Sequence, residues 1–269
     1  MNAFTLAAVC IAGYMCLLFL IATATKDNTW ADIGWGLGFV LVTWVTYATF
    51  GDNRLHQKLI VFLASIWGMR LTMYIGIRHW GQPEDFRYAQ WRKEWGKQAV
   101  WRSFWQVFML QGLVMFVVCL PLIIICSTAQ FNHSYKWIYP VFSVLGMFGF
   151  YFETVSDWQM FNFKNNPHPH GPLMDKGLWK YSRHPNYFGE AVQWWAFFAL
   201  SIPSGMWYFA ILSPLTITYL LLKVSGVTLL EKKYEGNTLY DDYKRRTNAF
   251  IPWFPRKAVT LAPSINKQA

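Results

Sequence analysis

Charge is scarce in this chain. Only 14% of its 269 residues are Asp, Glu, Lys or Arg, whereas a soluble globular domain carries about 25%. That deficit excludes an ordinary water-solvated domain and points to lipid as the main solvent. Cysteine is scarce too: Cys10, Cys16, Cys119 and Cys126 all sit in apolar runs, with no CxxC pair, no metal-ligand spacing and no secreted disulfide framework. They are expected to be small core residues in a reduced setting, and no metal site is expected. Period-two alternation with regular turns is absent, which argues against a transmembrane barrel. No GxGxxG follows a strand and no Walker lysine is present, so a nucleotide would need a non-Rossmann arrangement. Internal repeats and low-complexity linkers are missing as well.

What is present is apolar length. Hydrophobic residues make up 54% of the chain and aromatics 19%. Long runs cover Ala3–Thr25, Trp30–Phe50, Leu59–Ile77, Phe104–Cys126 and Trp137–Val155, followed by a pair after Tyr187, up to Ile202 and then Met206–Leu222. Most approach the roughly 20 residues a helix needs to cross a ~30 Å hydrocarbon core. The expectation is an all-α polytopic membrane protein with about seven transmembrane helices. The seventh depends on splitting Phe188–Leu222 at Ile202–Pro203–Ser204–Gly205. The first run has no basic segment before it and its first charge, Lys26, after it. A cleaved signal peptide has the opposite layout, so Ala3–Thr25 is expected as a retained helix.

The net charge of +10 is unevenly placed. Arg78–Ser103 holds six basic residues, Arg78, Arg87, Arg92, Lys93, Lys97 and Arg102. Ser156–Tyr187 holds four and the tail from Lys223 nine, against one in Ser127–Lys136 and none in Pro203–Gly205. With seven helices the basic segments share one side. The positive-inside rule makes that side, and the C-terminus, cytoplasmic in a bacterial inner membrane or an endoplasmic reticulum equivalent. Topology alone accounts for most of these charges. Nucleic-acid binding is a poor reading, because the charges flank membrane segments instead of forming a patch on a recognition module.

One integral-membrane domain is expected. Residues 1–136 would form an apolar substrate cavity, 137–255 a cytoplasmic cofactor-binding part, and 256–269 a tail. Gly81–Arg102 is polar with interleaved aromatics, which suits a helix lying at the membrane surface. Lys164–Asp175 carries three prolines and a glycine and cannot continue a helix. The tail is expected to be helical as far as Ile251–Pro252.

Ionisable groups within membrane helices cost roughly 3 kcal/mol on insertion scales and need a reason. Asp32, Arg70, Glu153 and Glu190 are such groups. Asp32 and Arg70 either neutralise one another or line one cytoplasm-facing cavity, with Trp30 and Trp35 marking the interface beside Asp32. The stretch KYSRHPNYFGEAVQWW, Lys180–Trp195, gathers more polar groups. Pro185 suits a first helical turn, and Asn186 and Glu190, four apart, share a face. Arg183 and His184 at the helix mouth favour an anion such as a phosphate. A helix cap with snorkelling side chains is the plainer alternative. Upstream, Asp157, Gln159, Asn162 and Lys164 form a second constellation, with Asp157 and Lys164 two helical turns apart. Glu231, Tyr234, Tyr240, Tyr243, Arg245 and Arg246 form a third. Together they suit a large anionic ligand presented from the cytosol.

The block DKGLWKYSRHPNYFGEAVQWW, Asp175–Trp195, resembles the C-terminal domain of membrane steroid 5-alpha-reductases and their bacterial relatives, with sterol reductases as more distant kin. The matching residues are Gly177-Leu178-Trp179, Tyr181, Arg183-His184, Asn186-Tyr187 and Gly189-Glu190. Ser156-Asp157 with Lys164 matches upstream, and Tyr240, Asp242-Tyr243 and Ile251-Pro252 match in the tail. The likeness covers about 149–254. It implies a seven-helix enzyme that takes NADPH from the cytosol and reduces an activated carbon–carbon double bond, an enone, of a steroid-like or other lipophilic substrate. It implies Asp157, Lys164, Asn186 and Glu190 as cofactor contacts, with Arg183, His184, Tyr187, Glu231, Tyr243 and Arg246 beside them. The family's proton donors are a glutamate in a QELPS-like segment and a tyrosine on the third helix. This chain lacks QELPS; Asp32 is the acid in that stretch, and Trp67 stands where the tyrosine is expected. Asp32 with a raised pKa, paired with Tyr74 or Arg70, is therefore the expected catalytic group.

Two other classes compete. A membrane methyltransferase of the isoprenylcysteine carboxyl methyltransferase type also uses an RHPxY block, with S-adenosylmethionine as cofactor. A non-enzymatic lipid or sterol carrier would explain apolar length but not the polar cluster. Expected partners are a lipophilic small molecule (a steroid, sterol or long-chain enone) and membrane lipid, with no protein partner evident.

Overall fold

A computed structural model describes residues 1–128, 132–166, 172–224, 226–232 and 234–256 of the chain. Among these residues every regular element is helical. The proline-rich segment expected as a breaker falls partly outside the described residues, at 167–171, as do 129–131 of the Ser127–Lys136 connection and 257–269 of the tail.

Helix α1 spans Ala3–Thr25, capped by the Asn2 side chain, which accepts from the Thr5 N–H at 2.8 Å. It ends at Lys26, whose left-handed backbone (φ 56°) returns its N–H to Ala22. α2 (Trp30–Ile33) and α3 (Trp35–Phe50) are separated at Gly34, whose carbonyl accepts from Tyr14. α4 is Leu55–His79, α5 Phe86–Trp95 and α6 Ala99–Ser103. A π-helical stretch, Phe104–Met109, joins α6 to α7, Leu110–Val118, and α8 follows at Leu120–Ser127. The remaining helices are α9 (Ile138–Asn165), α10 (Pro185–Ser201), α11 (Trp207–Ala210), α12 (Leu212–Tyr219), α13 (Val227–Lys232) and α14 (Thr238–Arg246).

Among the described residues, five helical stretches are long and apolar enough to cross a membrane: Ala3–Thr25, Leu55–His79, Phe86–Val118, Ile138–Asn165 and Trp207–Lys232. The other two expected crossings are shorter, with 16 residues in α3 and 17 in α10. α1 shows why lipid is the solvent. Its buried residues, Ala3, Ala7, Ile11, Met15, Leu18 and Ala22, follow one stripe, while Val9, Leu17 and Leu20 on other faces stay exposed. An exposed apolar surface of this extent is a membrane surface.

The chain forms two compact units, with α9 and α10 each contributing to both. The first comprises Met1–Met147 and Val192–Thr218; the second comprises Phe148–Ala191 and the chain from Tyr219. Residues 137–147 and 192–218 fall in the first unit.

In the first unit α3 and α4 cross at two glycines. A Cβ on Gly36 would lie 2.2 Å from the Gly68 carbonyl oxygen, and one on Gly68 2.4 Å from that of Gly36. Small residues allow such backbone approach in membrane bundles. Around the crossing, Phe39, Trp67, Trp194 and Phe197 are fully buried in edge-on or tilted ring contacts of 5.0–5.4 Å. Trp67 is thus a core residue of the region expected to hold an apolar cavity.

In the second unit the tail is not helical to Ile251–Pro252. Helix α14 stops at Arg246, and the chain turns back alongside Tyr181–Arg183. The Arg183 N–H donates to Asn248 O at 2.9 Å, the Trp253 N–H to Tyr181 O at 2.9 Å and Ser182 Oγ to Phe250 O at 2.8 Å. These backbone bonds take the place of a helical turn.

Candidate functional site

The second unit holds the RHPNYFGE block at the start of α10. Pro185 opens the helix, where its missing N–H costs nothing. Gly189 then meets α9: a Cβ there would lie 2.5 Å from Glu153 N and 2.6 Å from Gly149 O. This glycine is required for helix contact. The close approach brings the Glu153 and Asp157 stripe of α9 beside the Asn186 and Glu190 stripe of α10. Glu153, Asp157 and Glu190 are all buried, at 2%, 5% and 9% exposure. Asn186 Nδ2 donates to Asp157 Oδ1 at 3.2 Å, and its carbonyl Oδ1 is buried without a donor among the described residues. With Nδ2 turned to Asp157, the amide leaves Oδ1 able to accept an N–H or O–H. Lys164 is exposed in the last turn of the same α9.

Arg183, His184 and Glu231 meet as well, but they hold the chain together. The Arg183 guanidinium donates to Glu231 Oε1 at 2.8 Å and to the carbonyls of Thr247 and Lys244. His184 Nε2 lies 3.3 Å from the same carboxylate, and Lys244 Nζ 3.5 Å from its other oxygen. The His184 ring stacks on Tyr187 at 5.5 Å. The anion expected at this helix mouth is thus met by the protein's own Glu231. Tyr243 is buried and donates from its hydroxyl to Trp179 O. Burial raises its pKa above the ordinary phenol value, so it acts as a fixed donor. It steadies the turn of Gly177, whose φ of +60° suits glycine and whose missing Cβ leaves room for Gln159. Gln159 in turn accepts from the Leu178 N–H at 3.0 Å. Arg246 bridges Asp242 at 2.9 Å and Asp175 at 3.5 Å.

The first unit has its own polar cluster, built on Asp32. Its Oδ2 accepts from Arg87 Nη2 at 2.7 Å and its Oδ1 from the Tyr88 hydroxyl at 2.7 Å. Gln111 Nε2 donates to the Tyr88 oxygen at 3.0 Å and to Asp32 Oδ1 at 3.4 Å, and its own Oε1 is buried without a donor among the described residues. The Arg87 guanidinium also lies over the Tyr88 ring at 5.3 Å. Arg70 and Tyr74, expected beside Asp32, stand one turn apart on α4, with Arg78 over the Tyr74 ring at 5.6 Å.

A strap fixes this cluster. His79 Nε2 lies 2.6 Å from Asp27 Oδ2, the Asn28 N–H donates to Glu84 at 2.7 Å, and the Asp85 N–H donates to Thr29 Oγ1 at 2.9 Å. Glu84 takes both arms of Arg92 at 2.7 and 3.0 Å. Burial pushes the Asp27 and Asp85 carboxyls up, but hydrogen bonds from Thr29 and His79 to the first, and from Arg87 to the second, outweigh it and hold both below their ordinary value. Tyr88, Arg87 and Gln111 were not marked as candidates by the sequence pattern. The available signal was the run PEDFRY, with both charge signs and a phenol within six residues of a connection that otherwise suits a surface helix.

A helical membrane protein with two separate buried polar clusters is the class these features define. The chain belongs to the family described as protein of unknown function DUF1295, whose model matches residues 18–247. No curated protein and no solved structure matches it.

Proposed function

We propose that the protein is an NADPH-dependent membrane reductase that adds hydride to the double bond of a lipophilic enone. The observation that supports this most is the buried Oδ1 of Asn186, which meets no donor among the described residues and sits on an amide bonded to Asp157. A nicotinamide carboxamide carries the N–H donors such an acceptor takes. Asn186, Asp157 and Glu190 would hold that end of the cofactor, while Lys164 and Arg246, at 28% side-chain exposure, would meet phosphate. The steroid-reductase-like order of the same residues supports the reading. NADPH, when bound, supplies the hydride.

The chain's own residues then act on the substrate oxygen. Hydride addition at the beta carbon builds negative charge on the enone oxygen, and a positioned donor stabilises it. Within the first unit, Tyr88 is the candidate for that donor, its hydroxyl buried against Asp32 and Gln111. The single hydroxyl proton, which Tyr88 donates to Asp32, passes to the enone oxygen as that bond breaks, and the Arg87 charge over the ring steadies the phenolate left behind. Asp32 is an acceptor that orients Tyr88, so the donor role moves from Asp32 with Tyr74 to Tyr88. The active site faces the cytosol in this reading, as the basic connections require.

The test is NADPH oxidation by the purified protein with a panel of steroid, sterol, polyprenoid and long-chain enones. The expected result is substrate-dependent loss of NADPH absorbance with a product heavier by two hydrogens. Methyl transfer from S-adenosylmethionine with no NADPH consumption on any enone contradicts it.

A further inference from the structure

We propose that the connection from Trp80 to Trp105 docks on anionic phospholipid headgroups, and that lipid bound there holds Arg87 and Tyr88 against Asp32. Helix α5 has two sides. Inward, Tyr88 is 3% exposed and reaches Asp32. Outward, Phe86 and Trp91 are exposed, as are Trp80 before the helix and Trp101 and Trp105 after it, from 39% at Trp91 to 87% at Trp80. A ladder of rings joins the sides: Tyr88 contacts Trp91 at 5.7 Å, and Trp91 stacks on Trp95 at 5.7 Å.

The cations divide in the same way. Arg87 and Arg92 turn to Asp32, Asp85 and Glu84. Lys93 and Lys97 are exposed and form no salt bridge among the described residues, and Arg102 bonds only the neutral Gln98 there. Three unneutralised cations set among exposed indoles complement an anionic lipid surface, where Trp sits at headgroup level and basic side chains reach the phosphates. Lipid is preferred to an acidic protein partner because α5 is itself the polar, N-terminal part of a candidate membrane span, Phe86–Val118. Docking there restrains α5, and α5 carries two of the three groups around Asp32.

The experiment is hydrogen–deuterium exchange on the full chain in nanodiscs of phosphatidylcholine alone or with phosphatidylglycerol. Residues 80–98 should exchange several-fold more slowly with the anionic lipid, and added salt should erase the difference. The triple variant Lys93→Gln, Lys97→Gln, Arg102→Gln should lose that protection while exchange in α1 and α9 stays unchanged. Equal exchange of the wild-type segment in both lipids overturns the proposal, and so does a triple variant that keeps the lipid response. Protection by inorganic phosphate in neutral nanodiscs also overturns it, by assigning the site to a free anion. Exchange is read without turnover, so these outcomes stand apart from the reductase reading, and the wild-type salt series decides if the variant fails to fold.

Discussion

Asn186 on α10 donates to Asp157 on α9 at 3.2 Å, and the Asn186 carbonyl is left a buried acceptor with no donor among the described residues. Replacing Asn186 by Leu removes that acceptor from the proposed nicotinamide contact. A hydrogen bond lost to a buried partner costs about 1–3 kcal/mol, so NADPH affinity should fall about five- to 150-fold. Titration of tryptophan fluorescence with NADPH measures this. Undiminished affinity removes Asn186 from the site.

Gly189 has a purely steric role. Its Cβ position lies within 2.6 Å of two α9 backbone atoms, and backbone cannot yield as a side-chain tip can. Gly189→Ala should cost about 1–3 kcal/mol and lower the midpoint of thermal inactivation with or without cofactor. A cofactor-dependent loss alone would instead mark Gly189 as a ligand contact.

Arg183 and Glu231 are mostly buried, at 10% and 15% side-chain exposure. Arg183→Ala leaves a carboxylate without its main partner, which costs about 3–5 kcal/mol for a buried pair, and it frees the Thr247 and Lys244 carbonyls. Proteolysis between Thr247 and Arg256 should accelerate. The double variant Arg183→Ala, Glu231→Ala should be less damaged than the single one, because no orphan charge remains. Strict additivity argues against the clamp.

Tyr88 separates chemistry from cofactor binding. Tyr88→Phe keeps the ring and deletes the proton donor, so turnover of an accepted enone should fall about 10²–10³-fold with NADPH stabilisation unchanged. Full activity in Tyr88→Phe, with loss in Tyr74→Phe, returns the donor role to Tyr74.

Acid dependence follows from Asp27. Folding lowers its pKa, so its contribution is present above the ordinary carboxylate value near 4 and is lost as pH falls through the lower folded value. Asp27→Asn should reduce stability at neutral pH and flatten the decline on acidification. An unchanged acid limb in the variant excludes Asp27 as its source.

The helices were legible because lipid demands length and apolarity, and that demand is written residue by residue in runs such as Ala3–Thr25. The Asn186–Glu190 stripe was legible for a related reason: helical spacing is local, and Pro185 marks where the helix begins. The Asp32 cluster was not. Tyr88 lies 56 residues from Asp32 and Gln111 79, and no local period encodes which buried phenol meets which acid. The partners expected for Asp32, Arg70 and Tyr74, rested on position along one helix, whereas Arg87 and Tyr88 reach it from α5 and Gln111 from α7. The folded-back tail was hidden because it is held by backbone carbonyls, which every residue type supplies.

Ligand-induced thermal stabilisation of the purified full chain tests the central proposal most directly, since a ligand that binds only the folded state raises its stability by mass action. NADPH should raise the unfolding midpoint of the wild type in a concentration-dependent way, with a much smaller rise for Asn186→Leu and none from S-adenosylmethionine. A rise with S-adenosylmethionine alone, or with neither ligand, contradicts the reductase.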